Sequence, residues 1–428
     1  MKESRHICNG ECDVCPFRKG SEYCNPVKSR DGLPEEGRFA HRIDRILTNR
    51  FLGLPILLVI LFVVFNITFA LGAYPQGWIE NGVDALCGLV EKSLPAGWMT
   101  SLLSDGIIRG CGAVISFLPN ILILFFFLSL MEDSGYLARA AFLMDKLMHA
   151  IGLHGNSFIP MLMGFGCNVP AILAAKSIEN QKDRTLTMLM IPFMSCSARL
   201  PVYLLLVSAF FPAHKALVMI SLYATGILLS ILFAFVMKHT SFFRKGKDDA
   251  PFMLPAFEIP SASMLWAHIW ERCKDYLQKI TTVILAASIV IWALGYFPTS
   301  EGGPAEKDES CLAQIGKWME PAMAPLGFDW KMNVCILTGL PAKEAIVSTM
   351  GILYNDGDSN NLISQLRTSG AFSTGSAMAF LLFVLLYFPC IATVKTLRTE
   401  VGWKWAAFTV AHSLALAWIV AFAAFHLF

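Results

Sequence analysis

The stretch Gly110–Met131, GCGAVISFLPNILILFFFLSLM, contains no Asp, Glu, Lys or Arg. Roughly 20 mostly apolar residues wound as a helix cross the ~30 Å hydrocarbon layer of a bilayer. The inner run Ile121–Leu130, ILILFFFLSL, is too long and too apolar for a half-buried strand, so a membrane helix is predicted. The same uncharged pattern recurs at Gly53–Ala73, Ala216–Met237, Ile280–Ser300, Ser369–Val394 and Trp405–Phe428.

Composition agrees. Of 428 residues, 55% are hydrophobic and 15% charged, against about a quarter charged in soluble domains. So much apolar side chain excludes both disorder and an ordinary water-soluble globule. The 34 Lys and Arg balance 32 Asp and Glu, a formal charge of only +2, which removes the footprint of a nucleic-acid binder.

Three further apolar segments are interrupted. Leu147–Ala175 holds several glycines and prolines, Thr185–Ala213 is broken by Arg199, and Trp330–Tyr354 carries Lys331, Lys343 and Glu344. Irregular backbone at membrane depth survives only inside protein or beside a water-filled cavity, which makes these segments the expected working part. The predicted fold is all-α and polytopic, with about eight transmembrane helices and two repeats built on broken or re-entrant helices. A weak internal match supports the repeats: Gly135–Ala141 against Gly339–Ala345, and Gly164–Ile172 against Tyr387–Val394.

Lys and Arg crowd residues 1–50 and 238–279, whereas 298–330 contributes only Lys307 and Lys317. The positive-inside rule then sets the N-terminus in the cytoplasm and 298–330 outside. About fifty polar residues precede the first apolar run, too many for a cleaved signal peptide. Topology beyond residue 330 is left open by the scatter of Arg367, Lys395, Arg398 and Lys404.

The densest polar material in apolar surroundings is Gly164–Pro170 (GFGCNVP) and Pro192–Pro201 (PFMSCSARLP). Glycine and proline free backbone carbonyls there, while Cys167, Asn168, Met194 and Cys196 offer side-chain ligands. Cys390, next to Pro389, would complete a three-thiol set if the two broken regions face each other. Thiolate and thioether donors suit a soft or borderline divalent metal, whereas Mg²⁺ and Ca²⁺ want oxygen. A charge at the centre of a membrane helix costs ~2.5–3.5 kcal/mol, so Arg199, Lys343 and Glu344 should face a bundle interior or water. Glu132, Asp133 and Glu344 are candidate cation ligands, with Arg199 and Lys343 holding the architecture. Buried cysteine can also be a plain small apolar residue, and Glu132 and Asp133 can equally form a solvated helix end.

Cys8, Cys12, Cys15 and Cys24 are spaced C-x3-C-x2-C-x8-C in a polar, basic segment. Four thiols so close can surround Zn²⁺ or hold an Fe–S cluster, and a cytosolic setting argues against disulfides. A free-thiol or redox role is the other reading. The chain has no phosphate-loop signature, GxGxxG, HExxH or GxSxG motif.

These blocks, taken in order, resemble the permease part of the bacterial ferrous iron transporter family FeoB. The likeness runs over 41–428, is most specific in Ser157–Ile172, Asp183-Arg184 and Pro192–Tyr203, and is extended in the second half by Ala342–Glu344, Tyr387–Thr393 and Glu400–Trp405. It implies an Fe²⁺ importer of the bacterial inner membrane with two gate regions, about 110–237 and 280–428, and Cys167, Cys196 and Cys390 on the iron path. Residues 1–40 stand where that family carries a G-protein domain, so coupling to GTP would need a separate small G protein. A small accessory protein and a homo-oligomer are further possible partners, beside membrane lipid. Asn156 and Pro341 depart from the family's usual residues at the gates. A transporter without nucleotide hydrolysis of its own is therefore expected. The alternatives are a carrier of another divalent metal or of a nucleoside, or a membrane thiol-redox protein.

Overall fold

A computed structural model of the chain describes residues 52–240 except 96, 285–297, 309–354 and 362–427 except 369, together with positions 47, 243, 270 and 274. Among the described residues the secondary structure is helical, with no strand element. Five helical stretches are long and apolar enough to cross a membrane, or six when the bent pair 118–151 counts as one. The helical membrane fold is as predicted; the figure of about eight concerns the whole chain, of which 280–284 and 298–300 in one predicted span lie outside the described residues. In the interrupted segments glycine and proline divide the chain into half-helices.

The first helix, α1 (Gly53–Ser93), is about 60 Å long at 1.5 Å per residue, twice the hydrocarbon thickness. It packs along α2 (Arg109–Asp133) in antiparallel register: Gly72 abuts Asn120, and Gly112 abuts Val83. Glycine on each helix allows this close approach. A bend of 78° at Ser134–Gly135 separates α2 from α3 (Tyr136–Ile151), and Gly135 takes φ 75°, a left-handed value that glycine adopts without strain.

The first broken region follows as α4 (Phe158–Met163), α5 (Asn168–Ala174), α6 (Gln181–Met190) and α7 (Leu200–Phe210). Next come α8 (Lys215–His239) and α9 (Leu285–Tyr296). The second broken region comprises α10 (Cys311–Met323), α11 (Trp330–Thr338), α12 (Ala345–Tyr354), α13 (Leu362–Thr368), α14 (Thr374–Leu386) and α15 (Ile391–Val401), and α16 (Trp403–Leu427) ends the chain.

Burial sorts these spans into two kinds. In the most apolar windows of α1, α8 and α16 only 17%, 28% and 28% of residues are buried, against 61% for 181–210 and 72% for 374–401. The first three turn Leu58, Phe62, Leu217, Ile220 and Ile419 outward, the surface a lipid-facing helix requires. The two broken spans form the interior. Their packing is tight: Phe328 sits edge-on to Phe380 and Phe383 at 5.5 and 5.6 Å, and Phe383 stacks on Tyr387 at 5.5 Å.

Candidate metal-binding cavity

Both interior spans break at a cysteine. Between α6 and α7 the chain turns at Ile191–Phe193, runs extended through Met194 and Cys196, and resumes at Ser197. Between α14 and α15 it is extended at Tyr387 and Cys390. Pro192, Pro201 and Pro389 lack the N–H that a continuous helix would need. The short pairs α4/α5 and α11/α12 break opposite them, at 164–167 and 339–344.

Hydrogen bonds join each interior break to its short partner. The N–H and Oγ of Ser197 donate to the Gly166 carbonyl at 3.2 and 2.9 Å, and the Ile391 N–H donates to the Leu340 carbonyl at 3.2 Å. In each case the donor N–H directly follows the cysteine. Cys196 and Cys390 are thus equivalent positions, and Pro341 is the counterpart of Cys167. The pairing of Gly164–Ile172 with Tyr387–Val394 that the sequence suggested is displaced by this bonding. Gly135 likewise sits at the bend after α2, whereas Gly339 ends α11 at a break, as Gly164 ends α4.

A buried cation secures each break. Arg199, 1% exposed, donates from Nη1 to the Met194 carbonyl at 3.1 Å and from Nη2 to the Pro192 carbonyl at 3.5 Å. Lys343, 2% exposed, donates from Nζ to the Phe388 carbonyl at 2.8 Å and lies 3.2 Å from the centre of the Tyr387 ring. Met194 and Phe388 both stand two residues before the break cysteine. The cations therefore satisfy matching carbonyls that the breaks leave without helical partners.

The breaks meet at a cavity of about 120 Å³. Cys167, Cys196 and Cys390 all line it, with Asn168, Arg199, Lys343 and Glu344; α1 contributes Phe65, Thr68 and Phe69, and α2 contributes Asn120, Ile121 and Leu124. Cys167 and Cys390 also pack against one apolar cluster around Val169 and Ala392. The Cys390 Sγ and Thr393 Oγ1 are 3.1 Å apart. Asn168 is 5% exposed, and its Oδ1 has no hydrogen-bond partner. Away from the cavity, α5 and α15 pack through Ala171, Ile172, Ala175 and Leu397, and an ion pair of 2.9 Å joins Lys176 to Glu400.

Other predicted ligands lie elsewhere. Met194 is buried in the apolar core with its side chain against Gly164 and does not line the cavity; its carbonyl serves Arg199. Glu132 and Asp133 end α2 at the 78° bend, and neither lines the cavity. Cys8, Cys12, Cys15 and Cys24 fall outside the described residues. Among the described residues no three His, Cys, Asp or Glu side chains are grouped so as to hold one metal ion. Sequence reasoning missed Asn120, Thr68 and Thr393 on the cavity wall. For Asn120 a signal existed: Pro119-Asn120 interrupts an otherwise uncharged span.

The profile of the family described as "Gate: Nucleoside recognition" matches residues 114–210 and 277–404, one match over each broken region, and that of "Ferrous iron transport protein B C terminus" matches 219–272. The chain is 46% identical over 430 residues to the Fe(2+) transport protein A/Fe(2+) transporter FeoB fusion protein of Porphyromonas gingivalis, covering 89% of this chain and 50% of that protein. It is 42% identical to the Fe(2+) transporter FeoB of Staphylococcus aureus, with 91% and 59% covered, and 41% identical to that of Campylobacter jejuni, with 92% and 66% covered. The chain thus spans about half to two thirds of the length of these relatives. No solved structure matches.

Proposed function

We propose that this chain, which belongs to the FeoB family and corresponds to its gate-containing permease part, moves Fe²⁺ across the membrane through the cavity between its two broken regions. The observation that carries the reading is the convergence of Cys167, Cys196, Cys390 and Glu344 on one cavity lined from both halves. The thiols, the Glu344 carboxylate and the Asn168 amide act as successive ligands of the passing ion, while Arg199 and Lys343 hold the breaks open. Fe²⁺ stands low in the Irving–Williams order, so a closed thiol cage would hold Zn²⁺ or copper more tightly. Conduction needs sites weak enough to leave, and ligands met singly or in pairs satisfy that requirement. A nucleoside fits less well, because clefts for drug-sized ligands run to ~300–1,000 Å³.

The same reading assigns the chain to the bacterial inner membrane with its N-terminus cytoplasmic and makes it a transporter rather than an enzyme. Cys8, Cys12, Cys15 and Cys24 would bind Zn²⁺ or an Fe–S cluster, which metal analysis of the full chain against a truncation lacking 1–40 tests. Coupling to GTP comes from a partner G protein, detectable as GTPase activity that copurifies with the chain.

The test of transport is anaerobic uptake of ⁵⁵Fe²⁺ into vesicles. Cys167→Ser, Cys196→Ser and Cys390→Ser are each expected to lower the rate about tenfold, the equivalent of ~1.4 kcal/mol at the limiting step. Uptake at the unaltered rate in all three variants would refute the reading.

A further inference from the structure

A polar track leads from the surface to the cavity along the seam of α1 and α2. Asn120 on the cavity wall donates from Nδ2 to Gln76 Oε1 at 2.7 Å, and Gln76 donates from Nε2 to Glu80 Oε1 at 2.8 Å. Glu80 is exposed. It lies about 40 Å along α1 from Gly53, farther than the ~30 Å hydrocarbon layer extends. A carboxylate thus stands near one membrane surface and an amide stands at the cavity, with Gln76 between.

Both helices are adapted at this point. Pro75 precedes Gln76 and Pro119 precedes Asn120, each inside a helix. Neither proline has an N–H for the carbonyl four residues back, so Leu71 and Ile115 lose that helical donor. Gly72 makes room for the amide: a Cβ there would stand 1.5 Å from Asn120 Oδ1. That oxygen is buried and has no hydrogen-bond partner. The ladder consequently ends in the α1–α2 seam, on the residue that reaches the cavity wall, with a buried acceptor that lacks a donor, which costs ~1–3 kcal/mol unless something supplies positive charge. Three side-chain oxygens in line, with a carboxylate at the outer end, suit a hydrated divalent cation better than an anion or an apolar solute.

We propose that Glu80, Gln76 and Asn120 form the inlet by which a divalent cation reaches the thiols. The proposal rests on the cavity being the cation's station, as argued above, and adds the route. Glu80 concentrates cations at the mouth, and the amide oxygens of Gln76 and Asn120 replace hydration water on the way in. Interhelical amides also serve as packing contacts in membranes, so the decisive readout must sense charge.

Full-length protein in vesicles is exposed to a small ammonium-bearing methanethiosulfonate or to neutral methyl methanethiosulfonate, and modification of Cys167 is followed by mass spectrometry of its peptide. Glu80→Lys, Gln76→Leu and Asn120→Leu are expected to slow the cationic reagent about fivefold relative to the neutral one, with the Glu80→Lys effect shrinking in high salt. An unchanged cationic-to-neutral ratio in all three variants would overturn the inlet, as would equal slowing of both reagents, which marks packing alone. Glu80→Lys alters an exposed residue, so its result does not depend on the buried variants folding. Labelling requires no iron movement, so this outcome is separate from the ⁵⁵Fe²⁺ result.

Discussion

Glycine and buried cations carry the most testable residue-level claims. A Cβ on Gly339 would meet Tyr387 Oη and Ile346 Cγ1, each at 2.6 Å, and Tyr387 is the ring beneath Lys343. Gly339→Ala is therefore expected to destabilise the protein by about 1–3 kcal/mol, the usual cost of overpacking, read as a lower melting temperature in detergent. Arg199→Met would strand the Met194 and Pro192 carbonyls in the interior. At about 1–3 kcal/mol for each unpaired group, it should destabilise more than Gly339→Ala, and Arg199→Lys should restore part of the loss. That Cys167, Cys196, Cys390, Arg199, Lys343 and Glu344 are set apart was legible in the sequence, because thiol and charge stand out against an apolar run, and all six line the cavity. Met194 was misleading, since a thioether packs in a core as readily as it ligates. Asn120 was overlooked because one amide hardly alters the hydropathy of Gly110–Met131.

At the scale of elements, the breaks were visible as glycine and proline within apolar segments, but their pairing was not. Which carbonyl accepts the N–H after each cysteine is a matter of backbone geometry, and the partners Gly166 and Leu340 share no residue type. Where α5 and α15 run side by side, Lys176 and Glu400 pair at 2.9 Å, with 49% and 12% of their side chains exposed. Partial exposure limits what the pair contributes. In a double-mutant cycle with Lys176→Ala and Glu400→Ala, a coupling of only ~0.2–1 kcal/mol is expected in melting measurements. A coupling above that range would mean the pair is more strongly desolvated than its exposure indicates.

For the whole molecule, the architecture follows from a division of labour between spans. Weakly buried α1, α8 and α16 meet lipid, and the two interior spans, being surrounded by protein, can be irregular without exposing unpaired backbone to hydrocarbon. The central claim is that both halves deliver thiols to one shared cavity. It is tested most directly in a chain whose only cysteines are Cys167, Cys196 and Cys390, by measuring how a bulky maleimide on one thiol changes alkylation of the other two. Because the three line one cavity, occupying any one should slow the other two. Alkylation of each at a rate indifferent to the others would contradict it.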